Sequence, residues 1–138
     1  MAAELKKNDP EKARQYFANR MAFTTGPIEL DRNRNRPDIA IIDVRAAEDY
    51  AEGHIPGAVN LPEEKWPTLQ GLRKDALNVV YCYSHVCHLA AAAAVEFAGK
   101  GFSVMEMEGG WKAWHEYDLE VEKGSGSISR ERQPAYSK

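Results

Sequence analysis

The feature that most constrains the fold is a buried-strand pattern that runs directly into a helix-forming segment. The run Val79-Val80-Tyr81 is β-branched and aromatic, as in a buried strand, and the alanine-rich run at 89–94 favours a helix. Both cysteines of the chain, Cys82 and Cys87, lie between these two segments. Because the first N–H groups of a helix have no partner within it, they face this loop and favour an anion or a thiolate. We therefore expect a reactive thiol at Cys82, with its pKa lowered by these N–H groups.

Strand and helix patterns alternate along the middle of the chain with short connections. The continuously apolar run Ile39-Ala40-Ile41-Ile42 suits a strand that is buried on both faces of a parallel sheet. Pro62 and Pro67 are expected to limit any helix within residues 62–76 to the later half of that segment. The alternation predicts an α/β domain with a mainly parallel sheet. The predicted strands are 39–44, 59–61, 78–82 and 103–107, and the predicted helices are 28–31, 48–52, 88–99 and 110–117.

The two ends of the chain have a different character. Asp9-Pro10-Glu11 indicates a helix start with Asp9 as its cap, and Gly26-Pro27 would stop the helix. We expect a lead-in and helix at 1–23, a folded domain at 24–122 and a flexible tail at 123–138, because the tail is mostly glycine, serine and charged residues. The apolar positions of the first helix fall on one face and are Ala13, Tyr16, Phe17 and Met21.

Length, charge and cysteine content exclude several classes of protein. The chain has 138 residues, a net charge of −3 and a pI near 5.8, so we expect a single domain and no nucleic-acid partner. No apolar run approaches the roughly 20 residues that span a bilayer, and the N-terminus has no apolar secretory segment. Two cysteines are not a disulfide scaffold. These features predict a cytoplasmic protein with reduced thiols and no membrane association, and they leave the oligomeric state open.

Four separated motifs occur in the order that is typical of one family. They are Ile42-Asp43-Val44-Arg45, the stretch Tyr50–Pro62, Val79-Val80-Tyr81-Cys82, and the stretch Glu108–Trp114 with its Gly109-Gly110 pair. With these motifs the chain resembles the single-domain rhodanese-like sulfurtransferases, from about residue 24 to residue 121. The resemblance implies a three-layer α/β fold with a central, mainly parallel five-stranded sheet flanked by helices. It also implies that Cys82 carries a persulfide.

The activity implied by this resemblance is sulfur transfer by double displacement. A small donor, thiosulfate or a persulfide, would load a sulfane sulfur onto Cys82, and a thiol or other acceptor would remove it. The acceptor is expected to be a small thiol or a protein, and no cofactor is expected. The implied active-site loop consists of Tyr83, Ser84, His85, Val86, Cys87 and His88.

Several loop side chains have candidate roles. His85 is a candidate to hydrogen-bond an anionic donor or to shuttle a proton. Ser84 would add a hydroxyl to the same site, and Tyr83 would shape its mouth or face solvent. His88 is expected to satisfy the start of the following helix.

The loop departs from the family pattern at Cys87. Members of the family usually have an arginine or a similar donor at this position, but no Lys or Arg occurs between Cys82 and Lys100. A forked donor for an oxyanion is therefore missing, which makes thiosulfate a less expected donor. The loop is also one residue shorter than that of the related phosphatases and lacks their arginine, so phosphatase activity is not expected.

The second cysteine leaves alternatives open. Cys87 would either resolve a Cys82 persulfide into an internal disulfide or simply pack at the start of the helix. The rival function is a low-turnover regulatory or redox-sensing rhodanese-like module that uses Cys82 and Cys87. Together with His85 and His88 these cysteines have the ligand types of a zinc or copper site, but a tight loop does not provide the usual paired spacing, so no metal is expected. A stretched haem-attachment pattern is the weakest alternative.

Other motif residues are expected to be structural. Asp43 and Arg45, at the end of a buried strand, would anchor loop N–H groups and pair with an opposite charge. His54 is expected to be a hydrogen-bonded corner, and Gly109-Gly110 would let the backbone approach the Cys82 loop closely. Trp111 and Trp114 are expected to lie in the core.

Overall fold

A computed structural model describes residues 4–124 and 129–131. Helices and strands alternate along the described chain. The helices are α1 (Pro10–Phe23), α2 (Pro27–Asn33), α3 (Ala47–Glu52), α4 (Leu89–Gly99) and α5 (Gly110–Glu116), with a 3₁₀ helix at Glu63–Thr68. The strands are β1 (Thr24–Thr25), β2 (Ile39–Asp43), β3 (Val59–Asn60), β4 (Leu77–Tyr81), β5 (Val104–Met107), β6 (Val121–Lys123) and β7 (Ser129–Glu131).

The central sheet has five parallel strands in the order β1-β5-β4-β2-β3. The predicted α/β fold with a central five-stranded sheet flanked by helices is therefore confirmed. β4 lies in the middle of the sheet, between β5 and β2. Because all five strands run in the same direction, their carboxyl ends meet at one edge, and that is where α/β proteins place their sites.

Each face of the sheet carries its own apolar core, as a parallel sheet requires. On one face the strands pack against side chains from α2, α3 and α5, and on the other against α4 and the 3₁₀ helix. The first core includes Leu30, Ile41, Tyr50, Val79, Tyr81, Met107 and Trp114. The second core includes Ile42, Trp66, Val80, Cys82, Ala90, Ala93 and Phe97. Cys82 therefore lies on the α4 face of the sheet.

His54 joins the domain to β6. Its ring stacks on Tyr50 with the ring centroids 3.7 Å apart, and its Nδ1 lies 2.7 Å from the Tyr50 carbonyl oxygen. The backbone N–H and carbonyl of His54 pair with those of Glu122 at 2.9 Å. The interpretation of His54 as a structural corner is confirmed.

The first helix begins as the sequence predicts but buries little. The Asp9 side chain accepts from the Glu11 N–H at 3.1 Å and caps α1. Its apolar face remains in solvent, with Tyr16 62% and Met21 73% exposed. An ion pair between Arg20 and Glu108 (3.1 Å) ties the end of the helix to the residue that follows β5. The neighbouring edge strand, β1, has only two residues, so this part of the sheet offers little surface to cover the helix.

The segment 62–76 differs from its prediction. The 3₁₀ helix occupies the earlier half of the segment and includes Pro67, so the expectation of a helix in the later half is wrong. Proline removes only one backbone N–H donor from such a short helix, and the burial and hydrogen bond of Trp66 offset the loss of that donor. The Trp66 ring is buried in the second core, and its indole N–H donates to the Leu61 carbonyl at 3.0 Å.

Part of the predicted tail belongs to a second, two-stranded sheet. Lys123 belongs to β6 and pairs with Ser129 of β7 in an antiparallel ladder. This pairing is possible because β6 offers backbone donors and acceptors that composition does not reveal. The flexibility of the tail stays a prediction. The tail positions 125–128 and 132–138 lie outside the described residues. Among the helices that are described, none combines the length and apolar character needed to cross a membrane.

Candidate active site

The candidate site lies at the carboxyl edge of the sheet, where β4 ends and α4 begins. Cys82 is the first residue after β4, and His88 precedes the first residue of α4. The Cys82 side chain is only 2% exposed and packs in the core on the α4 face. The sequence prediction of a strand, a cysteine-containing loop and a helix is reproduced to within a residue at each boundary.

Two backbone hydrogen bonds connect the first turn of α5 to the start of the loop. The N–H groups of Trp111 and Lys112 donate to the carbonyls of Cys82 (2.8 Å) and Tyr83 (2.9 Å). Gly110 makes this approach possible, since a Cβ atom there would lie 2.7 Å from the Cys82 carbonyl oxygen and 2.7 Å from the Ser84 nitrogen. Gly110 also has φ +60°, in the left-handed region that glycine adopts without strain. The predicted close approach of the glycine pair to the cysteine loop is confirmed.

Tyr83 anchors the loop on its other side. Its hydroxyl donates to the Asp49 carboxylate at 2.5 Å and accepts from the Ala46 N–H at 3.1 Å. The ring is 38% exposed, so the residue does face solvent at the rim of the loop. These two bonds join the loop to the first turn of α3. The sequence did not reveal this link, because Asp49 is distant in the chain and acidic residues are common in the first turn of a helix.

The two cysteines interact across the loop. The Cys82 thiol donates to the Cys87 carbonyl oxygen at 3.5 Å, and both cysteines are free thiols. Burial, with a smaller contribution from hydrogen bonding to the Cys87 side chain, raises the pKa of Cys82 to about 11, although the N–H groups of Ala90 and Tyr83 act to lower it. The helix and loop amides thus face the sulfur as predicted. The predicted lowering of the Cys82 pKa is wrong for the resting thiol, because burial outweighs the amides.

Cys87 is the more acidic thiol of the pair. Its partial burial raises its pKa, but hydrogen bonding from Cys82 and from the N–H groups of Leu89 and Tyr83 outweighs burial and lowers that pKa below its ordinary value. Cys87 is also more accessible than Cys82. The amide donors at the start of α4 therefore serve both sulfurs.

The remaining loop residues face outward. His85, Val86 and His88 are exposed and Ser84 is half-buried, while the Cys87 N–H donates to the Ser84 carbonyl at 3.1 Å to close a turn. His88 occupies the cap position of α4, but its side chain makes no capping hydrogen bond, so the predicted capping role for His88 is wrong. Instead, its carbonyl accepts from the Ala92 N–H at 2.9 Å.

A buried ion pair supports the carboxyl edge of the sheet below the loop. The Arg45 guanidinium donates to the Asp43 carboxylate at 2.7 Å and to the Gly53 carbonyl at 2.6 Å, and the Arg45 N–H donates to the same carboxylate at 2.9 Å. The Tyr81 hydroxyl adds a bond to Asp43 at 2.5 Å and accepts from the Ile55 N–H. Both charged side chains are nearly fully buried. Asp43 and Arg45 pair with each other, as their structural interpretation anticipated.

Trp111 differs from its prediction. Trp114 is fully buried in the first core, but Trp111 is only half-buried and stacks over the Arg45 guanidinium, whose central carbon lies 4.7 Å from the ring centroid. Trp111 and Arg45 line a surface cavity of about 360 Å³ together with Asp49, Tyr83 and His115. The core prediction therefore holds for Trp114 and only partly for Trp111.

Glu106 is an acidic residue near the loop that the motifs of the sequence do not indicate. It lies in β5, opposite Val80 of β4, and it is half-buried. Its negative charge acts to raise the pKa of Cys87, and the charge of His88 acts to lower the pKa of Glu106. A charged residue within an otherwise apolar strand was the available signal. Within the part of the chain that is described, no three His, Cys, Asp or Glu side chains converge as a metal-binding group.

Comparisons with known proteins agree with this geometry. Residues 26–117 match the family model described as the rhodanese-like domain. A thiosulfate sulfurtransferase, GlpE from Pseudomonas putida, is 32% identical over 95 residues, which cover 67% of this chain and 84% of that protein. The HTH-type transcriptional regulator Rv0324 of Mycobacterium tuberculosis is 35% identical over 98 residues, which cover 70% of this chain. This chain spans only 43% of the regulator's length.

Solved structures give the same result. The BH2092 protein from Bacillus halodurans superimposes with a TM-score of 0.77 at 32% identity, covering 85% of this chain and 88% of that one. The thiosulfate sulfurtransferase from Pseudomonas aeruginosa superimposes with a TM-score of 0.65 at 28% identity, covering 76% of this chain and 20% of that one. Fold, motif order and family model coincide: the chain belongs to the rhodanese-like domain family.

Proposed function

We propose that this protein is a sulfurtransferase that carries sulfane sulfur as a persulfide on Cys82. The observation that supports it most directly is the position of Cys82, at the end of the central strand with the N–H groups of Tyr83 and Ala90 facing its sulfur. Related proteins named thiosulfate sulfurtransferases share the family and about a third of their residues with this chain. Donor N–H groups held in place before the reaction stabilise an anion without further reorganisation.

The reaction has two displacements. In the first, the Cys82 thiolate attacks the outer sulfur of a donor, R–S–SH, and forms Cys82–S–SH while RS⁻ leaves. With thiosulfate as donor, the S–S bond breaks and sulfite leaves. In the second, an acceptor thiolate attacks the outer sulfur, takes it as a new persulfide and leaves Cys82 as the thiolate. The acceptor is a small thiol or a protein thiol, and free thiols of this kind suit the cytoplasm.

Ionisation of the resting thiol is the demanding part of this cycle. Because burial raises the pKa of Cys82 to about 11, only a small fraction is thiolate near neutral pH. Loading places a second sulfur about 2 Å beyond the first, which extends the anion from the buried position toward the loop amides. His85, exposed on the loop, is the residue that we propose to move protons to and from donor and acceptor. Ser84 would add a hydroxyl donor.

Steady-state kinetics test this mechanism. Double displacement predicts parallel lines in double-reciprocal plots when the donor concentration is varied at several fixed concentrations of the acceptor. Cys82→Ser should abolish turnover with every donor, whereas Glu96→Gln, a change on the exposed side of α4, should leave it unchanged. Intersecting lines, or activity that survives in Cys82→Ser, would rule out a Cys82 persulfide as the carrier.

The contact between the Cys82 thiol and the Cys87 carbonyl supports a second candidate function, a low-turnover redox-sensing module. Cys87 would attack the inner sulfur of Cys82–S–SH, forming a Cys82–Cys87 disulfide and releasing HS⁻, and a dithiol reductant would then restore both thiols. A relative that is named a transcriptional regulator is consistent with such a role. Cys87→Arg discriminates between the two functions. A catalyst that lacks only the loop cation should gain thiosulfate activity, whereas a redox sensor should lose its disulfide and gain no turnover.

A further inference from the structure

Glu106 lies on the same face of the sheet as the reactive cysteine. Glu106 and Val80 are paired neighbours on β5 and β4, so their side chains project from the same face. Cys82 comes two residues after Val80 and therefore projects from this face as well, one step nearer the carboxyl edge. Val80, Cys82, Cys87 and Val104 all belong to the core on this face, and Val104 precedes Glu106 by two residues. The carboxylate is thus directed toward the base of the cysteine loop.

The surroundings of this carboxylate are unusual for a half-buried charge. In the described portion of the chain, Glu106 has no hydrogen-bond or ion-pair partner, whereas Glu108 on the same segment pairs with Arg20. Burial raises the pKa of Glu106, and the charge of Glu108 raises it further, while His88 lowers it. An unpaired carboxylate of this kind costs free energy that a purely structural role does not explain.

The charge pattern around the loop is correspondingly negative. The position at which the family usually has a cation is occupied by Cys87, and the Glu106 charge acts directly on that thiol. No lysine or arginine lies between Cys82 and Lys100 to offset it. A donor that reaches Cys82 therefore meets backbone N–H groups and a carboxylate, with no lysine or arginine from the loop itself.

We propose that Glu106 is a specificity-determining residue that selects against multiply charged anionic sulfur donors. The proposal rests on the proposed persulfide function and names its donor class: persulfides with little or no net negative charge near the sulfur, including an ammonium-bearing alkyl persulfide. Thiosulfate, a dianion, is repelled twice as strongly as a monoanion at the same position, and a half-buried carboxylate is screened less by water and salt than an exposed one. Backbone amides alone still accept the single negative charge of a persulfide.

Alkylation tests this selection without requiring turnover. Iodoacetate is anionic and iodoacetamide is neutral, so the ratio of their rate constants at each loop cysteine reports the local charge. Glu106→Gln should raise the iodoacetate-to-iodoacetamide ratio roughly fivefold, the effect of about 1 kcal/mol of Coulomb repulsion. Any change in thiol pKa affects both reagents alike and cancels in the ratio. Added salt should raise the ratio in the natural protein and change it little in the variant.

The matched control is Glu96→Gln, which makes the same change in net charge on the exposed side of α4. Donor kinetics with thiosulfate and with cysteamine persulfide complete the test. Glu106→Gln should raise the thiosulfate rate, relative to that of cysteamine persulfide, roughly 25-fold, because a dianion feels twice the repulsion that gives iodoacetate its fivefold effect. Unchanged ratios in Glu106→Gln, or equal changes in Glu96→Gln, would overturn the proposal. If the alkylation ratio shifts as expected but no donor loads Cys82, the persulfide function fails and the charge selection remains.

Discussion

The Cys82 sulfur lies 3.5 Å from the carbonyl oxygen of Cys87, and this contact closes the loop between β4 and α4. The same pair has opposite pKa shifts, raised for the buried Cys82 and lowered for the more accessible Cys87. The buried thiol is the proposed sulfur carrier, and its neighbour adjusts the ease with which it ionises.

Removal of Cys87 should make Cys82 easier to ionise. Burial is the main cause of the raised Cys82 pKa, and hydrogen bonding to the Cys87 side chain, which Cys87→Ala removes, is the next. We expect Cys87→Ala to lower the Cys82 pKa from about 11 while leaving it above the ordinary value for cysteine, since burial remains. The pH dependence of alkylation at Cys82 measures this shift. In Cys87→Ser, which keeps a hydrogen-bonding group, the Cys82 pKa should lie between those of the natural protein and Cys87→Ala. A higher Cys82 pKa in Cys87→Ala would contradict this role of Cys87.

Cys87 should react with neutral alkylating agents before Cys82. Thiolate fraction and access both favour Cys87, because its pKa is lowered and it is only partly buried, whereas Cys82 is 2% exposed. Peptide mapping after brief treatment with iodoacetamide at neutral pH gives the order directly. Modification of Cys82 first would mean that the loop opens more readily than its hydrogen bonds from α5 indicate.

Gly110→Ala should destabilise the domain and disturb the loop. A Cβ atom there meets backbone atoms of Cys82, Tyr83 and Ser84 at 2.7–2.8 Å, and the residue has φ +60°. We expect a loss of about 2–4 kcal/mol in the free energy of unfolding, from strained backbone and overpacking together. Gly57→Ala is the matched control, because Gly57 has φ +86° with no atom within 4 Å of the added Cβ. It should lose only about 1 kcal/mol in urea unfolding. Equal losses would show that the contact with the loop is unimportant.

Asp43→Asn should be among the most damaging conservative changes in the protein. It leaves the buried Arg45 charge without its partner and weakens the bond from Tyr81, and breaking a buried pair in this way typically costs about 3–5 kcal/mol. Asp38→Asn removes an exposed carboxylate that pairs with Arg36 and should cost far less. Chemical unfolding of the two variants compares them. Similar losses at both positions would contradict a supporting role for the buried pair.

Local patterns predicted the parts of the structure that depend on short stretches of chain. The alternation of apolar strands and helices, the Asp9 cap and the Gly109-Gly110 approach follow from residue type and spacing, and the motifs placed Cys82 at the end of its strand. The pKa of Cys82 could not be predicted in this way. The direction of its shift depends on whether the amides at the start of α4 outweigh burial in the core, and only the packed structure determines that balance.

Other differences also arise from tertiary structure. Tyr16 and Met21 occupy one helical face, but the narrow edge of the sheet does not cover them. Glu106 was overlooked because a strand position shows its neighbours only once the register with β4 is known. Pro67 fits within a helix because the helix is a 3₁₀ helix stabilised by burial of Trp66.

Single-turnover mass spectrometry can show whether Cys82 carries sulfur. Reduced protein is mixed with cysteamine persulfide, quenched with a neutral alkylating agent and mapped at the peptide level. We expect one added sulfur atom on Cys82, its loss on addition of an acceptor thiol, its presence in Cys87→Ser and its absence in Cys82→Ser. Added sulfur found only on Cys87, or on neither cysteine with this donor and with thiosulfate, would contradict the proposed role of Cys82 as sulfur carrier.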